Sequence, residues 1–205
     1  MDQELIDEIN YEIQLLIKSG FYDEEEILEI IDDEFIEEDI SEDLILKQYL
    51  ENKENLEEIH EDSKDFTNLK NAFLDLTKGN IISIHNAGYD IEEGIQDSFE
   101  LFTHLRNNKY SPIGFCFYSF EDIENVLGDN ELAIAFGDFE DDEEKGLEIA
   151  KKVANTLKDY GFEINWNESV DERIIIKNFD WKKQFDGKEY SMDGALEDFI
   201  ELNKE

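Results

Sequence analysis

The apolar rhythm of the chain changes once, near Gly79 and Asn80, and that change limits the architectures open to it. Before it, apolar residues recur every three or four positions, the spacing of helices with one buried face. Ile6, Ile9, Ile13 and Leu16 form one such face, and Ile27, Ile30, Ile31 and Phe35 another. Gly20 ends the first helix, with Lys18 in its last turn, and Asp23 with Glu26 three residues on reads as a capping box for the second. Ser41 is placed to cap a third helix, carried by Leu44, Ile45 and Tyr49 and extended by Leu56 and Ile59. A fourth runs from about Lys64, with Phe66, Leu69, Phe73 and Leu76 inside, until Gly79 stops it.

After Asn80, short apolar runs bounded by turn residues alternate with helical stretches. Strands are expected at Ile81–Ile84, Ile113–Tyr118, Leu132–Phe136, Phe162–Trp166 and Arg173–Phe179. Between them lie a helix with Ile95, Phe99, Phe102 and Leu105 on its inner face, a short helix capped by Ser119 and Asp122, and a long helix burying Leu147, Ala150, Val153, Ala154 and Leu157. A last helix is expected around Leu196, Phe199 and Ile200. This order predicts an α+β fold: a mostly antiparallel sheet of split β-α-β type with helices on one face, preceded by an acidic α-helical N-terminal region. We divide the chain into an acidic helical region, 1–79, and a sheet domain, 80–205, packed together as one unit.

Charge decides what such a chain meets. Fifty-six acidic residues against eighteen basic ones leave −38, yet 40% of the residues are hydrophobic and 12% aromatic, enough for a core. Residues 1–62 hold 24 acidic residues and three lysines, a net of −21. A polyanion is kept from nucleic-acid phosphates and anionic lipid and drawn to Lys/Arg-rich surfaces, over about a Debye length, ~8 Å at physiological salt. The single cysteine, Cys116, can form no internal disulfide and sits in an apolar run where a buried thiol is expected. No secretory leader pattern or membrane-length apolar stretch is present, so a cytoplasmic protein is expected.

Several segments carry a family likeness: Asn86-Ala-Gly-Tyr89, Gly114-Phe-Cys-Phe-Tyr118 with Glu121-Asp122, Ala133-Ile-Ala-Phe-Gly137, Gly161-Phe-Glu-Ile-Asn-Trp166, Arg173-Ile-Ile-Ile176 and Asp180-Trp-Lys-Lys183. With the leader Gly20-Phe-Tyr-Asp-Glu-Glu-Glu-Ile27, they make the chain resemble an uncharacterised bacterial domain family of unknown function. The likeness implies a fold and no activity. It departs at Ser119, where His is expected in many relatives, and at Asn-Ala-Gly-Tyr, where some relatives carry cysteines.

The candidate sites follow from charge and loop position. Glu24, Glu25, Asp32, Asp33, Glu37 and Glu38 in the leader, and Asp138, Glu140, Asp141, Asp142, Glu143 and Glu144 after the third strand, are candidates for partner binding. The second cluster also sits where carboxylates favour a helix N-terminus, and counted as an EF-hand from Asp138 it puts Glu143 and Ile149 where Gly and Glu are required, so no metal site is expected. His85, Asn86 and Tyr89 follow the first strand and are the candidate pocket of an alternative enzyme reading. Cys116 with His85 or His104 is a weaker nucleophile pair, because no cation stands near the thiol in sequence. Trp166, Arg173, Trp181, Lys182 and Lys183 bring aromatic and basic groups to the last strands, as either core or contact surface. No cofactor motif is present, and no catalytic residue is assigned. The expectation is an acidic protein-binding module, such as an immunity protein or inhibitor for a basic nuclease or DNA-binding protein. Direct binding of nucleic acid or membrane is not expected.

Overall fold

A computed structural model of the chain describes residues 3–38, 40–56 and 59–204. The chain forms two compact units, Met1–Asp62 with Lys182–Lys188, and Ser63–Trp181 with Glu189–Glu205.

The first unit holds α1 (Gln3–Ser19), α2 (Glu24–Glu34), a short 3-10 turn (Ile36–Glu38) and α3 (Glu42–Asn55), each helix packing on the other two. Ile9, Ile13 and Leu16, Ile27 and Ile31, and Ile45 and Tyr49 are buried, as their spacing requires. The capping box forms: Glu26 N–H donates to Asp23 Oδ1 at 2.9 Å, and Asp23 N–H to Glu26 Oε2 at 2.7 Å. α1 and α3 are also registered by a polar seam, in which Asn52 accepts from Gln14 Nε2 at 2.9 Å and donates to Asn10 Oδ1 at 2.7 Å. α3 ends at Asn55, so Leu56 and Ile59 lie outside it.

Lys182–Lys188 closes this unit. Lys183 is 1% exposed; its Nζ donates to Gly20 O at 2.7 Å and Gln184 O at 3.3 Å, and lies 4.7 Å from the centre of the Phe21 ring. Gly20 has φ +75°, and a Cβ there would stand 2.1 Å from the Lys183 carbonyl oxygen. Two segments 163 residues apart, Gly20-Phe21 and Lys182-Lys183, therefore meet through a backbone approach that only glycine permits.

The second unit begins with α4 (Lys64–Lys78), capped by Ser63, whose Oγ accepts from Phe66 N–H at 3.0 Å. α4 joins the sheet unit although its sequence texture resembles the helices before it, because its apolar face covers β1 (Ile81–Ile84) and the long helix α7 (Glu143–Asp159). The remaining elements are α5 (Ile91–Asn107), β2 (Gly114–Phe117), α6 (Phe120–Asp129), β3 (Leu132–Gly137), β4 (Ile164–Asn165), β5 (Ile174–Ile176) and α8 (Met192–Leu202).

The five strands run in the order β1-β2-β3-β5-β4. β1 and β2 are parallel across the α5 crossover, and the other three pairings are antiparallel, so the sheet is mixed. β3, α7 and β4 form the split β-α-β unit, with β5 inserted antiparallel between its strands.

Helices cover both faces of the sheet, which corrects the expectation of one. On β2, a Cβ at Gly114 would meet the Ile149 side chain of α7, while the Phe117 ring lies against Gly94 of α5. Residues 114 and 117 point to opposite faces of a strand, so α7 and α5 lie on opposite sides. Burial on both faces also explains why β1 and β2 are buried throughout. One core cluster joins Ile82, Ile84, Phe115 and Phe117 to Leu101 and Leu105 of α5 and Ala195 and Phe199 of α8.

α5 is rotated from its expected setting. It buries Gly94, Ser98, Leu101 and Leu105, not the more apolar stripe containing Ile95 and Phe99. The small residues Gly94 and Ser98 let the helix sit close to Phe117, and Ser98 Oγ donates to Gly94 O at 2.8 Å.

Candidate functional site

β1 delivers His85 into a buried aromatic box. His85 is 9% exposed, and its ring lies 4.5 Å from Phe73, close to parallel, with Phe66, Tyr118 and Tyr190 at 5.5 to 6.0 Å. His85 Nδ1 and the Tyr118 hydroxyl are 2.8 Å apart. Tyr118 is fully buried, and burial first, then the nearby Tyr190, raises its phenol well above the usual range, so it stays protonated.

The loop after His85 is a fixed turn. Asn86 is buried at φ +54°, and Gly88 takes φ +59° where a Cβ would strike Glu93. Backbone bonds from Ala87 to Tyr118, Phe120 to Gly88 and Glu121 to Tyr89 tie it to the next segment. Tyr89 is 56% exposed and stacks on Phe120. His85 and Asn86 are thus inside while Tyr89 is outside, and the three side chains are not gathered on one surface.

The Cys–His pair does not form. Cys116 is fully buried, Sγ contacts Ser83 Oγ at 3.5 Å, and burial pushes its thiol up to about 12. His104 is exposed near the end of α5. Both strands place Cys116 and Ser83 side by side in register, which makes the thiol part of the core.

The aromatic and basic residues near the C-terminal strands also separate. Trp181 packs on Phe66, Tyr118 and Phe179 in the core. Trp166 is half-buried and clamps the turn before β5, donating from Nε1 to the Ser169 and Glu172 carbonyls. Arg173 pairs at 2.7 Å with Asp122, a carboxylate buried in the α6 capping box with Ser119. Lys183 belongs to the first unit, and Lys182 is exposed. Trp166, Arg173, Trp181 and Lys183 are each engaged in contacts within their own unit.

The two acidic clusters differ in how their charge is used. In the loop after β3, Asp138 accepts from the Glu140 and Asp142 N–H groups, Asp142 caps α7 through Glu144 and Lys145 N–H, and Lys145 pairs with Glu140. Asp141 takes φ +57° to make the turn. Asp138 and Asp142 are therefore committed to backbone groups, while Asp141, Glu143 and Glu144 remain exposed. Among the described residues, no group of His, Cys, Asp or Glu is arranged to hold a metal ion.

α2 is different. Its eleven residues include seven carboxylates and no basic residue. Glu24, Glu25 and Glu26 occupy the first turn, where the helix dipole favours them, but Asp32, Asp33 and Glu34 crowd the last turn, where it opposes them. Glu25, Glu29, Asp32 and Asp33 line one exposed side opposite the buried Ile27 and Ile31, and Glu37 and Glu38 continue the run. Lys53 reaches Glu24 at 3.6 Å. Glu34 has its carboxyl raised above the ordinary range by burial and by Glu8 of α1. Counting Lys182–Lys188, the first unit holds 25 acidic and six basic residues, so a third of the chain carries half the net charge.

What the fold and these surfaces define is an acidic α+β protein that uses some of its ionisable residues in caps and ion pairs and displays an exposed anionic helix. Its family is a domain of unknown function (DUF6891), which matches residues 2–185, and the chain belongs to that family. No curated protein and no solved structure matches the chain. α8 lies beyond the matched residues yet completes the sheet core through Ala195 and Phe199. No described helix is long and apolar enough to cross a membrane.

Proposed function

We propose that the protein is an acidic binding module that occupies a basic surface on a protein partner, as an immunity protein or inhibitor of a nuclease or DNA-binding protein would, in the cytoplasm. The observation that carries this reading is α2. Solubility needs charge on a surface, but it does not call for three carboxylates in a helix's last turn, where each costs about 0.3–1 kcal/mol against the dipole. A cationic counterpart turns that cost into steering, raising association rates by about 10–10³. The exposed stripe Glu25, Glu29, Asp32 and Asp33, with Glu37 and Glu38, would make the contact; Asp141, Glu143 and Glu144 are a separate exposed anionic surface on the sheet unit. Burial of His85 against Phe73 weighs against the enzyme reading, since a base must reach its substrate.

Affinity capture from the native host, repeated over a salt series, tests the proposal. A basic partner should be retained at low salt and released as salt rises, and E25Q/E29Q/D32N/D33N should lose it at least tenfold. Retention that is indifferent to both salt and these substitutions would refute the role of α2.

A further inference from the structure

The rotation of α5 leaves its most apolar stripe outside. Ile91, Ile95 and Phe99, spaced four apart and so successive on one side of the helix, are 41%, 39% and 42% exposed. Phe102 continues the stripe and stacks at 4.0 Å on Phe139, which also meets Phe99 edge-on at 5.3 Å. Phe139 stands between Asp138 and Glu140, so the acidic loop after β3 is joined to this apolar side of α5 by an aromatic contact. Beyond the stripe the helix carries Glu92 and Glu100 on its exposed side, with Glu93 and the half-buried Asp97 further round. These carboxylates crowd one another: burial, then Glu100 and Glu93, raise Asp97 above the ordinary range.

Resting on the reading above and sharpening it, we infer that this side of α5 docks a basic amphipathic helix of the partner protein. Such a helix would lay apolar residues at i, i+3 and i+7 over Ile91, Ile95 and Phe99, with lysines or arginines flanking them against Glu92 and Glu100. Charge selects this occupant over a second copy of the chain. Two copies would bring apolar stripes together only by pressing two anionic surfaces, each from a chain of net charge −38, against each other. A wholly polar basic surface would leave the stripe in water, and a wholly apolar one would leave the carboxylates desolvated and unpaired.

Two synthetic peptides of equal leucine and lysine content separate the possibilities, one with its leucines on a single helical face and one scrambled. The amphipathic peptide should bind the full chain at least tenfold tighter than the scrambled one. I95Q and F99Q should each weaken it at least tenfold, while L50Q, an equally exposed apolar position on α3, leaves it unchanged. Phe99 also touches Phe115, so melting temperatures accompany the titrations, and Ile95 carries the test if F99Q fails to fold. Equal binding of both peptides, insensitive to I95Q, would overturn the docking site while leaving a purely electrostatic binder intact. Absence of binding by either peptide at low salt would overturn both. A dimer in sedimentation that I95Q dissolves would assign the stripe to a second copy and overturn the inference.

Discussion

Replacing Lys183 tests the idea that one buried cation closes the acidic helical unit. The ammonium donates to the Gly20 carbonyl at 2.7 Å and the Gln184 carbonyl at 3.3 Å, and Asp186 stands 3.7 Å away. Hydrogen bonds from a charged donor contribute about 1.5–3 kcal/mol, and a desolvated cation over an aromatic ring up to about 2. Against these stands the cost of desolvating the ammonium, several kcal/mol, which the carbonyls and Asp186 offset. Lys183→Ala removes the stem packing as well and leaves the Gly20 carbonyl without its donor, so a loss of about 3–5 kcal/mol is expected. Lys183→Met keeps the stem volume and sheds the charge, so its loss should be smaller, about 1–3 kcal/mol. Hydrogen exchange resolved to α1 and α2 reads the effect locally. Protection there should fall by roughly 10²–10³ or more in Lys183→Ala and by less in Lys183→Met. If Lys183→Met were as stable as the parent, or more so, the ammonium would be no net support, and the strap would be held by packing alone.

Gly20→Ala should cost roughly 2–4 kcal/mol by urea unfolding, because it combines a left-handed backbone with a Cβ 2.1 Å from a carbonyl oxygen. Gly128→Ala, in α6 with open space around it, should instead gain about 0.5–1 kcal/mol. Glu34 and Asp97 both have folded pKa values above their unfolded ones, so the folded state holds their protons more tightly and stability falls as pH rises through that window. E34Q and D97N should therefore melt higher than the parent at pH 7, with the advantage shrinking as pH drops into the ordinary carboxylate range; an advantage that is constant with pH would refute the linkage. Cys116, with its thiol pushed up to about 12, should not react with a thiol reagent at pH 8 until the protein unfolds, and prompt labelling of the native chain would contradict its burial.

Local structure was legible in the residues themselves wherever one segment supplies both partners of an interaction. The Asp23–Glu26 and Ser119–Asp122 boxes lie within a single turn, and the buried faces of α1, α2, α4 and α7 follow from spacing alone. The acidity of the leader and the solitary cysteine needed no fold to be seen. Beyond that reach, the outcome depended on what came to lie opposite. α5 offered two possible inner faces, and the more apolar one lost, because Gly94 and Ser98 admit the Phe117 ring where Ile95 and Phe99 would hold the helix off. Lys183 read as either core or contact surface until Gly20, 163 residues away, supplied the carbonyl that buries it. His85 entered only as a candidate pocket residue of the alternative enzyme reading, and Phe73, Tyr118 and Tyr190 made it part of the interior. Period and capping are properties of neighbours along the chain, so composition and order determine them. Which face of a helix turns inward, and which charge is taken from water, depends on contacts between distant segments, and only the assembled structure decides that.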